Sequence, residues 1–539
     1  SSMRSSTLKH RCVSLVVRRV MTGPILLSAM ALLPVLSGCA SLPDNSGRAT
    51  SFALKPDETT KLHREATKVL GPDPVENGYL LLGNGLDAFV ARAVMANLAE
   101  KSIDAQYYLL HDDTVGRLFV DQLLKAADRG VRVRLLVDDM DMEGREFGSA
   151  VLDAHPNIEV RLFNPFGRNT ARVFQFISGF GTLTRRAHNK SFTVDSIATI
   201  VGGRNIGNEY FVADPDMAFL DLDVLAVGPA AALVAGSFDL YWNHELSYPV
   251  SRLIETPPAP EVVKRKTADF KDYIEQQHDT VYYQELTESR LAMALKGFKA
   301  EMVKGKGEGL VVWDHPDKLL EYGEKSNLLL ADLMPYFEET REELLIVSPY
   351  FVPGGKALDF FKKLHDRGVR IVVLTNSLSS TDVSVVHAGY ANYRRRLLKI
   401  GAELYELNQN LAAENRSNKS GRTYQSKASL HAKCFVMDRR KIFIGSLNLD
   451  PRSVIENTEI GIVIEAEEIA RPLAEAIIDK IDQFAFRLEL KPGYDKSSYL
   501  VWHGLVDGQQ RTLTVEPYTS FWQRFMVGLL RMLPIESQI

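Results

Sequence analysis

The chain has 539 residues, 45% of them hydrophobic and 24% charged, a composition typical of a globular protein with room for two or more folded units. A net charge of −4 and a pI near 6.3 argue against a nonspecific nucleic-acid binder, because such proteins are normally basic. The three cysteines lack metal-site spacing and show no disulfide framework.

The N-terminus has the pattern of an export signal. A basic segment with no acidic residue is followed by an apolar run at residues 20–40, which predicts a signal peptide over residues 1–38. Its end, LSGC, resembles the lipobox of bacterial lipoproteins, which implies cleavage before Cys39 and acyl chains on that cysteine. The alternatives are an uncleaved anchor and a chance cysteine. No aspartate follows Cys39, which favours the outer over the inner membrane of a bacterial envelope.

The chain then repeats itself. The stretch AADRGVRVRLLVDD (126–139) has a partner in LHDRGVRIVVLTNS (364–377), and each reads as a helix end, a glycine and a buried strand. A strand precedes each of these units, so the pattern indicates α/β units on a mostly parallel sheet. Two copies of more than 200 residues predict two similar domains rather than a solenoid.

We predict the following organisation from these landmarks and from composition. The N-terminal segment is 39–78, the first lobe 79–256, a charged linker with helices 257–309, the second lobe 310–490, and a C-terminal extension 491–539. A polar segment at 408–429 is predicted to be a loop near the site. The stretch SFWQRFMVGLLRMLP (520–534) predicts either an amphipathic helix at a membrane surface or a helix docked on the protein's own core.

A second repeat carries the chemistry. HNKSFTVDSIATIVGGRN (188–205) matches HAKCFVMDRRKIFIGSLN (431–448) position for position, and 431 − 188 gives an offset of 243. In an extended chain residues i and i+2 point the same way, so each histidine shares a face with its lysine. Two such sets about a pseudo-two-fold axis suit a phosphodiester. The lysines neutralise its oxygens, the asparagines add donors, one imidazole attacks phosphorus and the other transfers protons, without a metal or cofactor. The proposed catalytic set is His188, Lys190, Asn205, His431, Lys433 and Asn448.

Both copies resemble the H-x-K-x4-D-x6-G-[GS]-x-N signature of the phospholipase D superfamily. The resemblance implies two tandem α/β sandwich lobes around a mostly parallel or mixed sheet, with the active site between them and a phosphohistidine intermediate. It also implies that His188 is the nucleophile and His431 the general acid and base. Gly203 stands where the common pattern has serine, as at Ser446, and both are predicted to bind substrate.

The motif aspartates Asp195 and Asp438 lie at the far end of the strand, so we expect structural contacts from them. Each histidine still needs a carboxylate to set its tautomer. The family places this acid on a strand after the motif, which predicts that Asp221 orients His188 and Glu459 orients His431. Asp223 is the competing choice in the first copy.

Within the superfamily the chain resembles bacterial cardiolipin synthases of the C-type from about residue 80 to the end. That resemblance implies phosphatidyl transfer to phosphatidylglycerol, with phosphatidylethanolamine as the expected donor, at a membrane and with no nucleic-acid partner. The alternatives are a phospholipase D hydrolase, a superfamily nuclease and a noncatalytic lipid-binding lipoprotein. A noncatalytic protein predicts a degenerate copy, and both copies are intact.

Overall fold

The structure is a computed structural model, and it describes residues 42–71, 76–168, 172, 184–211, 217–305, 310–320, 328–410, 427–493 and 497–532. The predicted signal peptide, Cys39 and most of the polar segment 408–429 lie outside the described residues.

The first half of the described chain alternates strands with helices. Its strands are β1 (Asn77–Leu82), β2 (Ser102–Tyr107), β3 (Arg132–Asp138), β4 (Ile158–Phe163), β5 (Ser191–Val194), β6 (Ala198–Gly202), β7 (Met217–Leu220), β8 (Asp223–Val227), β9 (Ser247–Pro249) and β10 (Val303–Gly305). Its helices are α1 (Lys61–Leu70), α2 (Gly85–Leu98), α3 (Thr114–Asp128), α4 (Glu146–Asp153), α5 (Pro229–Trp242), α6 (Val250–Leu253), α7 (Pro260–Gln277), α8 (Val281–Glu288) and α9 (Arg290–Lys296).

The second half repeats the arrangement. Its strands are β11 (Leu310–Trp313), β12 (Glu343–Val347), β13 (Arg370–Asn376), β14 (Glu403–Leu407), β15 (Lys427–Leu430), β16 (Cys434–Met437), β17 (Lys441–Gly445), β18 (Ile460–Glu465), β19 (Ala485–Pro492), β20 (Ser498–Val506) and β21 (Gln509–Leu513). Its helices are α10 (Leu329–Glu339), α11 (Gly354–Asp366), α12 (Ser384–Ala391), α13 (Arg394–Ile400), α14 (Glu467–Ile478), α15 (Ile481–Phe484) and α16 (Phe521–Leu530).

Two large sheets result, and both are mixed. Among the described residues their strand orders are β10-β1-β8-β6-β5-β2-β3-β4-β9 and β11-β18-β17-β16-β12-β13-β14-β19-β20-β21. Only β2-β3-β4 and β12-β13-β14 pair in parallel within these sheets. The expectation of a mostly parallel sheet is therefore wrong. Helical crossovers join those parallel strands, whereas hairpins and long connections deliver the others antiparallel.

The predicted helix–glycine–strand units are confirmed. Helix α3 begins where the Asp113 side chain accepts a hydrogen bond from the Gly116 amide, and it packs its apolar face on the first sheet. Gly130 after α3 and Gly368 after α11 have φ values of 92° and 88°, a conformation that glycine adopts without a Cβ penalty. The chain then turns directly into β3 or β13.

The sheets extend beyond the limits that composition suggested for the lobes. Strand β10, from the predicted linker, pairs with β1, and strands β20 and β21, from the predicted C-terminal extension, continue the second sheet. The edge strands β10 and β21 are short or polar, VKG and QQRTL, so their composition does not distinguish them from a linker.

The two lobes share one apolar core. A single buried cluster contains Val201 and Val224 of the first sheet together with Val347, Ile444 and Ile462 of the second. The two-stranded parallel pairing of β7 with β15 also crosses between the lobes. The motif strands of both lobes therefore meet at this interface.

Candidate active site

The two motifs have the same local geometry. His188 and Lys190 lie in the extended segment just before β5, and His431 and Lys433 lie just before β16. Each of these strands forms a hairpin with the next, and the pairs Val194–Ala198 and Met437–Lys441 close the two hairpins at equivalent positions. The sequence repeat is thus a structural repeat.

Each histidine is bonded to a carboxylate of the other lobe. His188 Nδ1 lies 2.9 Å from Glu459 Oε2 and 3.1 Å from Oε1. His431 Nδ1 lies 2.6 Å from Asp221 Oδ2. All four side chains are buried or nearly so, and both carboxylates are enclosed. A carboxylate on Nδ1 fixes the proton there, which leaves Nε2 of His188 to attack. Nε2 of His431 lies 3.2 Å from Lys433 Nζ.

Backbone pairing between the lobes makes this exchange possible. Leu220, at the end of β7, pairs with Leu430 at the end of β15, and its carbonyl accepts the amide of His431. At the equivalent place Thr458 bridges Ala187, and its carbonyl accepts the amide of His188 at 2.9 Å. Each acid is the next residue along, so it arrives beside the opposite histidine.

The predicted pairing within each lobe, Asp221 with His188 and Glu459 with His431, is therefore wrong: the acids are the right residues with exchanged partners. After the first motif, strand β7 pairs across the interface with β15, and after the second motif Thr458 bridges Ala187 of the first lobe, which a single-lobe alignment cannot reveal. The competing choice, Asp223, is ion-paired with Arg92 at 2.9 Å and Arg204 at 3.3 Å instead.

The two lysines are buried among the same groups. Lys190 Nζ donates to the His188 carbonyl at 2.6 Å, and Lys433 Nζ donates to the His431 carbonyl at 2.5 Å. Burial lowers the pKa of Lys190 to about 7 and the pKa of Lys433 to about 8, against the opposing effect of the carboxylates. An anion bound between them would restore both charges, so the site favours a negatively charged ligand.

The surroundings of both imidazoles favour the neutral form. Burial, followed by the charges of Lys190 and Lys433, holds the pKa of His188 well below its usual range, and burial and Lys433 lower the pKa of His431. Burial raises the pKa of Glu459 to about 7. Burial alone would raise the pKa of Asp221 as well, but His431 and Lys433 outweigh it and lower that pKa. A neutral imidazole with a free Nε2 is the nucleophilic form.

Ser446 and Gly203 lie beside the carboxylates of Glu459 and Asp221, respectively. The Ser446 hydroxyl donates to Glu459 Oε2 at 2.5 Å and accepts the Ile460 amide. A Cβ at Gly203 would lie 2.2 Å from Asp221 Oδ1. Aspartate is one methylene shorter than glutamate, so the backbone must approach more closely in the first lobe. The serine-to-glycine difference thus follows the Glu459-to-Asp221 difference, and neither residue's contacts identify it as a substrate ligand.

The motif asparagines differ from each other. Asn205 accepts the Leu109 amide at 3.2 Å and donates to the Tyr210 hydroxyl at 2.9 Å. Asn448 Oδ1 is buried and accepts no hydrogen bond from the described residues. The role of both asparagines as hydrogen-bond donors to the phosphate stays a prediction. In this structure both the oxygen and the nitrogen of the Asn205 amide already have protein partners.

The motif aspartates bind backbone. Asp195 accepts the amides of Glu100, Lys101 and Ser102, and Asp438 accepts those of Arg341, Glu342 and Glu343. Both have φ near 52° in their hairpin turns. Each aspartate therefore ties its turn to the start of the central strand, β2 or β12.

Aromatic residues flank the histidines, and sequence reasoning did not identify them. The Tyr108 ring lies 5.0 Å from the His188 ring, and Tyr210 and Phe219 lie 5.2 and 4.9 Å from the His431 ring. The signal was present in YYLL at the end of β2 and in the aromatic residues after the first motif. They limit water around the imidazoles and contribute to the shifts in pKa.

One other cluster of the described residues has metal-ligand types: His111, Asp113 and Glu209. His111 Nδ1 lies 3.1 Å from Glu209, and this hydrogen bond raises the pKa of the imidazole. Asp113 accepts the amides of Gly116 and Asn208, so it has backbone partners, and the catalytic arrangement above uses none of the three residues.

A two-lobed protein with two buried His–carboxylate pairs and two buried lysines belongs to the class that transfers phosphoryl groups through histidine. Residues 94–242 and 333–480 match the family described as cardiolipin synthase, PLD-like domain. The chain belongs to this family.

Individual relatives agree with the family assignment. Cardiolipin synthase C of Escherichia coli (strain K12) is 39% identical over 467 residues, covering 86% of this chain and 96% of the relative. An uncharacterized protein of Helicobacter pylori (strain ATCC 700392 / 26695) is 32% identical, covering 92% of this chain and 97% of the relative. The crystal structure of phosphatidylserine synthase from Haemophilus influenzae Rd KW20 matches with a TM-score of 0.50 and 15% identity, over 80% of this chain and 92% of that one. Because the sequence identity is only 15%, this similarity shows a shared fold and nothing more.

Proposed function

We propose that the protein is a phosphatidyltransferase that forms cardiolipin from phosphatidylglycerol and a second phospholipid, with phosphatidylethanolamine as the preferred donor. The observation that carries the proposal is the crossed pair of carboxylate-bound imidazoles beside two buried lysines. The membership in the cardiolipin synthase family supports it.

The first half-reaction uses both histidines. His188 Nε2 attacks the phosphorus of the donor lipid, forming a P–N bond as the bond from phosphorus to the headgroup oxygen breaks. Glu459 stabilises the imidazolium that forms, and Lys190 and Lys433 stabilise the oxygens of the pentavalent transition state. The negative charge of the bound phosphate would raise the pKa of His431, so His431 enters this step as the imidazolium, and its Nε2 proton goes to the leaving oxygen as ethanolamine departs.

The second half-reaction reverses these roles. The glycerol hydroxyl of phosphatidylglycerol attacks the phosphatidyl-histidine, and His431 accepts its proton as the P–N bond breaks. Cardiolipin leaves and His188 returns to its neutral form. Water in place of the hydroxyl would yield phosphatidic acid, so the choice of nucleophile decides between transfer and hydrolysis.

Lipid mass spectrometry tests this proposal. Purified protein is incubated with deuterium-labelled phosphatidylethanolamine and unlabelled phosphatidylglycerol in mixed vesicles. We expect cardiolipin with one labelled phosphatidyl unit, and we expect none from His188→Ala or His431→Ala. Labelled phosphatidic acid without cardiolipin would identify a hydrolase instead.

The proposed substrates require access to a lipid surface, and helix α16 supports it. A capping box of Ser520 and Gln523 starts the helix, and Val527 packs on Leu378 and Ala388. The remaining large apolar side chains project outward: Phe521, Trp522, Phe525, Met526 and Leu529 are 43–69% exposed. No helix in the described part of the chain has the length and apolar character to cross a membrane. We infer that α16 lies in the membrane interface.

The attachment of α16 is rigid. Glu516, four residues before its capping serine, accepts Arg394 NH1 at 2.5 Å and lies 3.4 Å from His387 Nε2. Arg394 in turn pairs with Glu406 of β14 at 2.9 Å. These buried ion pairs fix the helix against the second lobe, so its apolar face is held outward before any lipid is met.

We also propose that Cys39 is acylated after signal cleavage, so that the mature protein is a lipoprotein, with outer-membrane sorting favoured. The LSGC sequence supports this. Metabolic labelling with palmitate in a bacterial host, followed by membrane separation on a density gradient, tests it. Label on the wild type and its absence from Cys39→Ala is the expected result, and equal label on both would contradict it.

A further inference from the structure

The second lobe contains a cavity of about 400 Å³ outside the catalytic site. Helices α10 and α11 form its sides, and Leu344 and Ile346 of β12 form its floor, each 1% exposed. Phe337, Phe361 and Val454 complete an apolar lining. Cavities of this size and lining bind apolar ligands.

The wall nearest the catalytic site is the segment 449–455, which follows the second motif directly. Leu449 comes next to the motif residue Asn448, and its carbonyl accepts the Val352 amide at 2.8 Å across the cavity edge. The segment continues as a π-helical turn, Arg452–Glu456. π-helical turns of this kind are frequent at functional sites.

This wall has two faces. On one face the Ser453 carbonyl accepts a hydrogen bond from Lys318 Nζ at 3.2 Å, and Lys318 pairs with Asp314, whose carboxylate also accepts the Glu459 amide at 3.0 Å. On the other face Val454 and Ile455 line the cavity, and Ile455 is 50% exposed at its mouth. One turn of chain therefore separates the carboxylate that holds His188 from an apolar cavity.

We propose that this cavity binds an acyl chain of a phospholipid whose phosphate lies between His188 and His431. The inference rests on the proposed function, because a lipid substrate brings an acyl chain to within one turn of the catalytic carboxylate. The apolar floor suits methylene groups, and Lys356 at the rim adds a positive charge beside the lipid's polar region. The cavity would hold the substrate by its tail while the motifs act on its phosphate.

Photo-crosslinking tests occupancy without turnover. The full chain is mixed with vesicles containing phosphatidylglycerol that carries a diazirine on one acyl chain, irradiated, digested and mapped by mass spectrometry. Label on peptides from 330–337, 352–361 or 449–455 supports the proposal. Label confined to α16 or to other surfaces would overturn it, since the lipid then meets the protein without entering the cavity.

A cavity-filling substitution tests the consequence for catalysis. Ala357→Phe places a ring in the cavity from α11, and Ala232→Phe makes the same change at an exposed site on α5. We expect Ala357→Phe to lower kcat/KM for long-chain lipids about tenfold, the effect of losing about two buried methylenes. Dihexanoyl lipids should react at rates within about twofold of the Ala232→Phe control, since a tenfold effect needs lost chain contacts.

The outcomes separate this proposal from the proposed function. If wild-type protein labels in the cavity but yields no cardiolipin, the proposed reaction fails and the acyl site stands. The proposed acyl-chain site is wrong if the wild type makes cardiolipin while Ala357→Phe and Ala232→Phe have the same kcat/KM for long-chain and for dihexanoyl lipids. Equal losses for both chain lengths would also overturn it, because the defect would not depend on the tail.

Discussion

The imidazole of His188 is hydrogen-bonded to the carboxylate of Glu459 at 2.9 Å, although 271 positions of sequence separate the two residues. The reciprocal pair, His431 with Asp221, spans 210 positions in the opposite direction. Each lobe therefore supplies a histidine to one pair and an acid to the other. The active site is complete only when both lobes are docked, which couples catalysis to the interface.

The crossed pairs predict which half-reaction each acid supports. With a donor lipid analogue carrying a 4-nitrophenol leaving group, Asp221→Asn should still form the phosphohistidine, because a good leaving group needs no proton from His431. Glu459→Gln should form it about 10²–10⁴ times more slowly, since His188 loses the support of its carboxylate. Rapid-quench mass spectrometry of the peptide containing His188 measures both rates. The reverse pattern would mean that each acid serves the histidine of its own lobe.

Anion binding should weaken as pH rises from 6 to 9. Lysine carries its charge below its pKa, and the pKa values of Lys190 and Lys433 are about 7 and about 8, so both charges are lost across this range. For each lysine that must be protonated for binding, the affinity for the anion falls by at most about tenfold per pH unit. Calorimetry with glycerophosphoglycerol, a diester that does not titrate here, measures the slope. Lys190→Arg should reduce the slope between pH 6 and 8, where Glu459, with a pKa of about 7, and Lys433 account for the remainder, and an unchanged slope in that variant would disagree.

Gly203 should tolerate no side chain. In Gly203→Ala the new Cβ would lie 2.2 Å from Asp221 Oδ1, so the carboxylate must move from His431, and we expect a loss in kcat of about 10²-fold or more. Ser446→Ala removes one hydrogen bond to Glu459 and should cost about 10–100-fold, the value of a bond to a charged group. Gly236→Ala is the control, since its Cβ would meet nothing within 4 Å. Full activity in Gly203→Ala would refute the packing argument.

Asp195→Asn should affect stability more than turnover. Asparagine cannot accept all three amide hydrogen bonds from the start of β2, so we expect a loss of about 1–3 kcal/mol in the free energy of unfolding. Thermal unfolding and kcat per folded molecule are compared with the wild type, and Asp438→Asn serves as the symmetric variant. A large fall in kcat with unchanged melting would assign the motif aspartate to the chemistry instead.

Vesicle binding should depend on helix α16. Trp522→Ala with Phe525→Ala removes two rings that are 69% and 51% exposed, so stability should change little, while vesicle affinity falls about tenfold or more. Leu233→Ala, at a 44% exposed site on α5, is the matched control. Co-sedimentation with phosphatidylglycerol vesicles gives the affinities. Equal binding by the double variant and the control would place the membrane contact elsewhere.

Local signals in the sequence were sufficient for the repeated units. The glycines at 130 and 368 mark helix ends because a positive φ is local, and the HxK spacing places histidine and lysine on one face because the extended chain alternates. The repetition of these signals 238 to 243 residues apart predicted two lobes and a shared site. The strand–helix–strand pattern indicated a mostly parallel sheet, whereas the family resemblance also allowed the mixed sheet that is observed; the local pattern was insufficient because strand direction depends on connections that cross the lobe.

The sequence by itself determined the chemical groups of the site: the repeated motif identified two histidines and two lysines, and the resemblance to the family identified two acids. Only the tertiary structure decided which acid serves which histidine, and why Gly203 and Ser446 differ. The reason is that β7 and the segment at Thr458 pair across the interface, so the geometry of each pair depends on contacts between residues more than 200 positions apart. Burial of the lysines at that interface, with its effect on their pKa values, has the same origin.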